Sequence, residues 1–514
     1  MTISSARPNL RPIIVACIVL AAGPLWANQR PCPGFVERSG VHLSCGGNPF
    51  YAIGVNSYFL ENIAALNDTD RVDEVFREAA GLGTTTLRTW AFFDCPDTSN
   101  PACIQWAPGK FNERGLRSLD YVVAKAGEYS IRLVLTLVNN WEEYGGMNQY
   151  VAWYAQAHPP PAGAGPAPAQ RTIFGESGRF YRTTVAGSLT HDDFYTNPTI
   201  RAWYRGYVSA IVHRTNTVTG VEYGEDPAIL AWELANEPRS SDPSGDIVAA
   251  WVDEMSAYLK SIDAQHLLGV GEEGFDCSPV RYAPPDAYDG QSWFFDGTNG
   301  ASFSRNSAMP GIDLAGIHMY PEGWHLSMNQ ALTWLNDHQR IADALDKPLI
   351  IGEVGVRSGR SVFYPLLFNE AYTQNTAGLL VWQLVYAGRP DNDGFAFSCP
   401  ADSALCGLIS GSASRFMGKG FGSPPPPSNT LLLPNYPNPF NQLTIVPYEL
   451  PEQTTVRIEL YSSTGRRVAI LFEGVEPPGR HLSVVDGTPY ASGIYLVRLT
   501  GNRGSSARKI CLMK

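Results

Sequence analysis

Residues 229–238 read ILAWELANEP, an apolar run that closes on a glutamate and a proline. The run is short and apolar on both faces, as expected of a parallel strand covered by helices rather than a half-solvated one. Seven other runs share this character: YAIGVN (51–56), TTLRTW (85–90), IRLVLTLV (131–138), HLLGVGE (266–272), LAGIHMY (314–320), PLIIGE (348–353) and GLLVWQL (378–384). Between them lie amphipathic stretches: VDEVFREAAGLG (72–83), LRSLDYVVAKAGEY (116–129), TIRAWYRGYVSAIVHRT (199–215), IVAAWVDEMSAYLKSI (247–262) and MNQALTWLNDHQRIADAL (328–345). Eight such units predict an α/β fold of the (β/α)8 TIM-barrel type with long loops. An open doubly wound sheet is the rival. It would carry a Gly-rich phosphate turn after its first strand, and the sequence has none.

Outward from the barrel, FGSPPPPSNTLLLPNYPNPF (421–440) marks a seam, since consecutive prolines fit neither a helix interior nor a central strand. Beyond it, PYELPEQTTVRIELYSSTGRRVAILFEG (447–474) and HLSVVDGTPYASGIYLVRLTGN (481–502) alternate as short strands, predicting a small all-β sandwich. At the other end, Arg7 and Arg11 precede IIVACIVLAAG (13–23) and PLWA (24–27), the pattern of a secretory signal, with a signal anchor as the alternative. The expected organisation is a signal over 1–27, the barrel over 28–420, a linker over 421–433 and the sandwich over 434–514. The segment AQAHPPPAGAGPAPAQRTIFGESG (155–178) reads as a surface excursion above the third strand, either a neutral insertion or a lid.

Export makes disulfides the natural use of cysteine. The close pairs Cys32/Cys45, Cys95/Cys103 and Cys399/Cys406 are expected to bond, leaving Cys277 and Cys511 free. The 514 residues carry a formal charge of -11 and show no basic patch, which argues against nucleic acid as a partner. Nine Lys+Arg stand against six Asp+Glu from Pro434 onward, so the acidic excess belongs to the barrel. All 12 Trp precede the seam, and aromatic side chains suit a neutral, stackable ligand such as a sugar.

In a barrel, polar residues at the C-terminal ends of strands face the mouth of the active site. Glu237 and Glu353 stand there, closing ILAWELANEP and PLIIGE. A lone glutamate at a strand end is commonly solvated or salt-bridged; two of them suggest more. Glycosidic cleavage needs one protonated carboxyl to serve the leaving oxygen and one ionised carboxylate to attack or to activate water. A separation of about 5–5.5 Å predicts retention and about 6.5–9.5 Å inversion, and sequence spacing does not choose between them. Glu272 and Glu273, also at a strand end, form a competing pair.

Together, TLRTWAF (86–92), LTLVNNWEEYGGMNQYVAW (135–153), DPAILAWELANEPR (226–239), VGEEGF (270–275), GIHMYP (316–321), KPLIIGEVG (347–355) and LLVWQL (379–384) resemble the endo-β-1,4-mannanases of glycoside hydrolase family 5. The resemblance implies a retaining mechanism, with Glu237 as acid/base and Glu353 as nucleophile. It implies that Asn236 bonds the sugar 2-hydroxyl, that Arg88 keeps Glu353 ionised and that Tyr320 donates to it. His318 would line the cleft near the acid/base and Trp382 would form a stacking floor, with Trp90 and Trp141 as further cleft-wall candidates. It casts Glu272 and Glu273 as loop-shaping support. The expected substrate is β-mannan, whether plain, glucomannan or galactomannan, and no cofactor or metal is expected. Alternatives are another family 5 β-1,4-glycanase of cellulase type, a mannan transglycosylase, or a non-catalytic polysaccharide-binding protein, which would lack one of the two glutamates.

The tail, through NYPNPFN (435–441), YELPE (448–452), VRIELYSSTGRRVAIL (456–471) and ASGIYLVRL (491–499), resembles the C-terminal sorting domain of type IX secretion. That resemblance implies secretion machinery as a partner and a bacterial protein that is secreted or held at the cell surface. A carbohydrate-binding module is the other reading of the tail, although the tail has no Trp. A monomer is expected.

Overall fold

The computed structural model describes residues 32, 34–159, 184–186, 189–277, 288, 292–399, 401–420 and 430–514, apart from 436, 437, 442, 477 and 503. The expected signal, most of the 155–178 excursion and most of the 421–433 linker lie outside the described residues.

Eight parallel strands form the central sheet: β1 (Ala52–Asn56), β2 (Thr86–Trp90), β3 (Arg132–Thr136), β4 (Ile229–Glu233), β5 (Leu267–Gly269), β6 (Ala315–Met319), β7 (Leu349–Val354) and β8 (Gly378–Val381). They run in the order β5-β4-β3-β2-β1-β8-β7-β6. A parallel bridge from Gly269 to Leu314 joins β5 to the start of β6 and closes the barrel. Seven of the eight predicted runs contain one of these strands, and β7 extends one residue past the eighth, PLIIGE.

The outer helices are α1 (Thr69–Gly81), α2 (Glu113–Glu128), α3 (Gly146–Ala157), α4 (Pro198–Val212), α5 (Asp246–Ile262), α6 (Met328–Ala344), α7 (Arg360–Gln374) and α8 (Ser403–Met417). Their starts follow local chemistry. Asn197 accepts from the Thr199 and Ile200 amides ahead of α4, whose first residue is a proline. Ser327 and Gln330 cap α6 reciprocally.

Alternate strand residues point into the barrel, so its interior is built in layers. Ala52, Val134, Ala231, Leu267, Leu314, Ile350 and Ala377 form an apolar floor, onto which Val36, Leu43 and Phe50 pack from an N-terminal antiparallel sheet. Cys32–Cys45 ties that sheet together, and Cys95–Cys103 and Cys399–Cys406 are also bonded, as expected, while Cys277 and Cys511 are free. Above the floor, Arg88, Thr136, Glu233 and His318 take the next inward positions, and all are buried.

The tail strands are β9 (Leu443–Leu450), β10 (Thr454–Ser462), β11 (Arg467–Glu476), β12 (Gly479–Asp486), β13 (Gly493–Gly501) and β14 (Gly504–Leu512). One antiparallel sheet contains β9 and β12, and a second runs β11-β10-β13-β14. Val446, Leu450, Val456, Ile458, Val497 and Ile510 fill the core between them. The tail rests on the barrel's flank. Asn329 in α6 donates to the Leu471 carbonyl at 2.8 Å and accepts the Val484 amide at 3.2 Å, and the Val484 side chain joins the barrel's outer core.

Candidate active site

Glu353 projects from the end of β7, whereas Glu237 sits beyond the end of β4 in a turn. Asn236 and Glu237 hold that turn by donating their amides to the carbonyls of Val138 and Gly271, each at 2.7 Å. Glu237 has a φ of 52°, in the left-handed region. Such a conformation in a non-glycine residue costs about 1–3 kcal/mol and persists only where its surroundings dictate it. Gly271 opposite must be glycine: at a φ of 85°, an added Cβ would lie 2.0 Å from the Ala235 carbonyl oxygen.

The two carboxyl groups meet over the barrel axis. One oxygen of each, together with a ring nitrogen of His318, falls in a group whose members all lie within 4.8 Å of one another. Glu353 Oε1 accepts from Arg88 Nη1 at 2.5 Å, and its Oε2 accepts from the Tyr320 hydroxyl. Glu237 Oε2 accepts from the indole nitrogen of Trp141 at 2.6 Å, and its Oε1 faces His318 Nδ1 at 2.8 Å. Arg88 Nη2 donates to Asn236 Oδ1 at 2.9 Å, and the Asn236 amide donates to Asn139 Oδ1 at 3.1 Å.

Burial pushes the carboxyls of both Glu237 and Glu353 above the ordinary carboxylate range. At Glu237 the opposing influences are the charge of Arg239, the Trp141 hydrogen bond and the charge of Arg88. At Glu353 they are led by His318 and Arg88, while the charge of Glu237 adds to the upward push. Two buried carboxyls this close do not readily ionise together. The first negative charge belongs on Glu353, which has the guanidinium in direct contact. Glu237 has an indole and an imidazole, and burial lowers the pKa of that His318 imidazole.

A cleft of about 720 Å³ opens above the pair, walled by Tyr58, Trp90, Trp141, Trp324, Trp382 and Phe395 among others. Trp90, Trp141 and Trp382 all reach it. Trp141 is more than a wall, because it bonds Glu237 directly. Trp382 lies parallel to Tyr58 with ring centroids 5.4 Å apart, and its indole nitrogen donates to Asp393 at 3.0 Å. His318 is placed differently from the expectation. It is 1% exposed and lies beneath the glutamates instead of lining the cleft.

Glu272 and Glu273 separate in role. Glu273 makes a two-pronged ion pair with Arg239, both bonds 2.7 Å, and Glu272 accepts from Asn306 at 2.9 Å. The Arg239 guanidinium sits between the rings of Trp141 and Phe275, 5.1 and 4.9 Å from their centroids. Glu273 therefore braces the arginine against which Trp141 rests.

Sequence reasoning missed Tyr58, Asp393 and above all Glu233. The signal for Glu233 was available: it is a charged residue inside an otherwise apolar strand, at an inward position.

Residues 33–283 match the family described as GH family 5 beta-mannosidase-like, residues 195–388 match Cellulase (glycosyl hydrolase family 5), and residues 435–513 match the Secretion system C-terminal sorting domain. Among curated relatives, mannan endo-1,4-beta-mannosidase 2 of Oryza sativa subsp. japonica is 36% identical over 415 residues, covering 76% of this chain and 85% of that protein. Mannan endo-1,4-beta-mannosidase 7 of Arabidopsis thaliana is 32% identical, covering 78% of this chain and 90% of its own length. Among solved structures, the endo-beta-1,4-mannanase from Thermotoga petrophila superposes with a TM-score of 0.63 at 28% identity, covering 90% of this chain and 97% of that one. The endo-1,4-beta-mannanase from Rhizomucor miehei gives a TM-score of 0.61 at 30% identity, covering 75% of this chain and 100% of that one.

Proposed function

The chain belongs to glycoside hydrolase family 5, and from that premise we infer its reaction: it is a mannan endo-1,4-β-mannosidase that cleaves internal β-1,4 bonds with retention. The observation that supports the reading is the convergence of Glu237 and Glu353 at the base of an aromatic cleft, with an oxygen of each within 4.8 Å of the other's, and retention is the general mechanism of family 5.

Glu353 is the nucleophile. Arg88 and Tyr320 hold its two oxygens, one contact each, and orient it toward the anomeric carbon. Glu237 carries the proton. Burial and the neighbouring negative charge favour its neutral form, and it donates to the leaving oxygen as the bond to Glu353 forms. Once Glu353 is an ester its charge is gone, Glu237 ionises more easily, and it withdraws a proton from the water that releases the sugar. Asn236, fixed by Arg88 and Asn139, bonds the 2-hydroxyl. Trp382 supplies a stacking face beneath the reacting sugar, and Trp90 and Trp141 form the adjoining walls.

The chain ends in a secretion sorting domain. We propose that type IX machinery exports it, leaving a monomeric enzyme secreted from, or attached to, a bacterial surface. The enzyme domain would span 28–420 and the sorting domain 434–514, joined by the proline linker.

Product analysis on mannohexaose beside cellohexaose tests the reading. Short mannan oligomers are expected, with cellohexaose left intact. Stepwise release of mannose, or equal cleavage of cellohexaose, would overturn it.

A further inference from the structure

Arg88 is 1% exposed and faces two carboxylates, not one. Its Nη1 goes to Glu353 and its Nη2 to Asn236, while its Nε donates to Glu233 Oε2 at 2.7 Å. Thr136 Oγ1 donates to that same oxygen at 2.8 Å. Glu233 thus grips the guanidinium by the one nitrogen that reaches neither the nucleophile nor Asn236.

The barrel makes room for this carboxylate. An added Cβ at Gly271 would stand 3.2 Å from Glu233 Oε2, one at Gly269 3.8 Å from its Cγ, and one at Gly352 3.7 Å from its Oε1. Three neighbouring backbone positions without side chains surround a buried acid that touches no wall of the cleft. A buried charge of this kind is costly unless it is paired, and breaking such a pair costs more than forming it gains.

We propose that Glu233 is a positioning residue for the reaction: it fixes the orientation of Arg88 and takes up part of its charge, so that Arg88 can hold Glu353 and Asn236 together without quenching the nucleophile. The proposal rests on Glu353 being the nucleophile. Planar guanidinium donors have fixed directions, so locking Nε sets where Nη1 and Nη2 point. Charge matters as much as direction. One arginine facing Glu353 alone would favour its anion strongly, and a carboxylate so stabilised is a weaker nucleophile. Sharing the arginine with Glu233 moderates that hold. The other titratable groups facing Arg88 and Glu353 are His318 from β6, in the same layer, and Tyr320 after β6 and Glu237 in the turn after β4, both of which line the cleft.

The test compares Glu233→Gln with Glu233→Ala and Thr136→Val in the full chain, using kcat, KM and the pH dependence of kcat/KM on mannohexaose. Glu233→Gln keeps an acceptor but removes the charge. It is expected to lower kcat about 10- to 100-fold with little change in KM, the size expected of a misplaced reacting group. The acidic limb of its profile should also move to lower pH, because Glu353 then has the arginine to itself. Glu233→Ala should lower kcat further. Thr136→Val, which loses one hydroxyl, should fold normally and give a smaller fall in kcat at unchanged KM.

A Glu233→Gln enzyme with the wild-type kcat and acidic limb would overturn the proposal. So would lost activity with an unmoved limb and a lowered melting temperature, the mark of a purely structural role. If Glu233→Gln does not fold, Thr136→Val decides: a wild-type kcat there overturns the proposal. Glu353→Ala, run in parallel, separates the two ideas, because activity surviving that change defeats the assignment of the nucleophile itself.

Discussion

The indole nitrogen of Trp141 lies 2.6 Å from Glu237 Oε2, so a residue of the cleft wall is also a hydrogen-bond donor to the carboxyl cast as the acid/base. Such a bond favours the ionised form and pulls against the upward push of burial.

Trp141→Phe keeps an aromatic wall and removes the donor. Glu237 should then hold its proton to higher pH, and the alkaline limb of kcat/KM should rise by about one pH unit, the worth of a hydrogen bond to a charged group. The profile on soluble mannan reads this directly. An unmoved limb would mean that the indole bond does not tune the acid.

The two glutamates should fail differently. Glu353→Ala should abolish hydrolysis of mannan and of activated aryl mannosides alike. Glu237→Ala should lose about 10²–10⁴-fold on mannan, the contribution of general acid–base catalysis. It should lose far less in the first step with an aryl leaving group, which needs no proton. Burst kinetics would separate the steps, and equal losses on both substrates would contradict the assigned roles.

A second buried cluster joins tail to barrel. His481 Nδ1 in β12 lies 3.3 Å from Glu476 in β11 and 3.6 Å from Glu370 in α7. Burial raises the Glu476 carboxyl to about 8, with His481 pulling it down and Glu370 pushing it up. Tyr448 hydrogen-bonds to it, and Asp337 adds a smaller upward push. Glu370 itself lies below its ordinary value: burial, the largest influence, pushes it up, and the hydrogen bond and charge of His481 together with bonds from Gln374 and Asn336 outweigh that push. A raised acid contributes most when protonated, so the Glu476 contribution is complete below the ordinary carboxylate range and is lost as pH rises through about 8. Glu370 works the other way and weakens the contact only as pH falls below that range. Melting of the full chain should therefore move to lower temperature between about pH 5 and pH 8 and level off above that, and Glu476→Gln should flatten the decline. Parallel curves for the two proteins would refute the link.

Cys32–Cys45 ties the antiparallel sheet that packs on the barrel's apolar floor. Replacing both cysteines with serine should cost about 3 kcal/mol, as for a loop of about this length, and lower the melting temperature with kcat unchanged. A drop in kcat at temperatures where the protein is folded would tie the floor to the chemistry.

The sequence made the barrel legible because its strands are apolar on both faces and its best helices are amphipathic. It was less open elsewhere. Pro365 lies inside α7, and that helix has no clear apolar face, so it escaped notice, as did α3 behind Gly145 and Gly146. Glu237 was expected at a strand end but stands in a left-handed turn after it, since the hydrogen bonds to Val138 and Gly271 that set that turn come from distant segments. His318 and Tyr320 are two residues apart on one strand face, yet burial hides the first and leaves the second at the cleft. Local alternation gives a side chain's face, and depth depends on what the neighbouring strands contribute. Glu233 was overlooked because hydropathy reading averages a run, whereas the information lay in its one exception.

The tail meets the barrel through α6, α7 and the residues around Asn329, and among the described residues none that lines the cleft comes from it. Cutting the chain within the linker is therefore expected to leave every described residue that lines the cleft on the barrel's side of the cut.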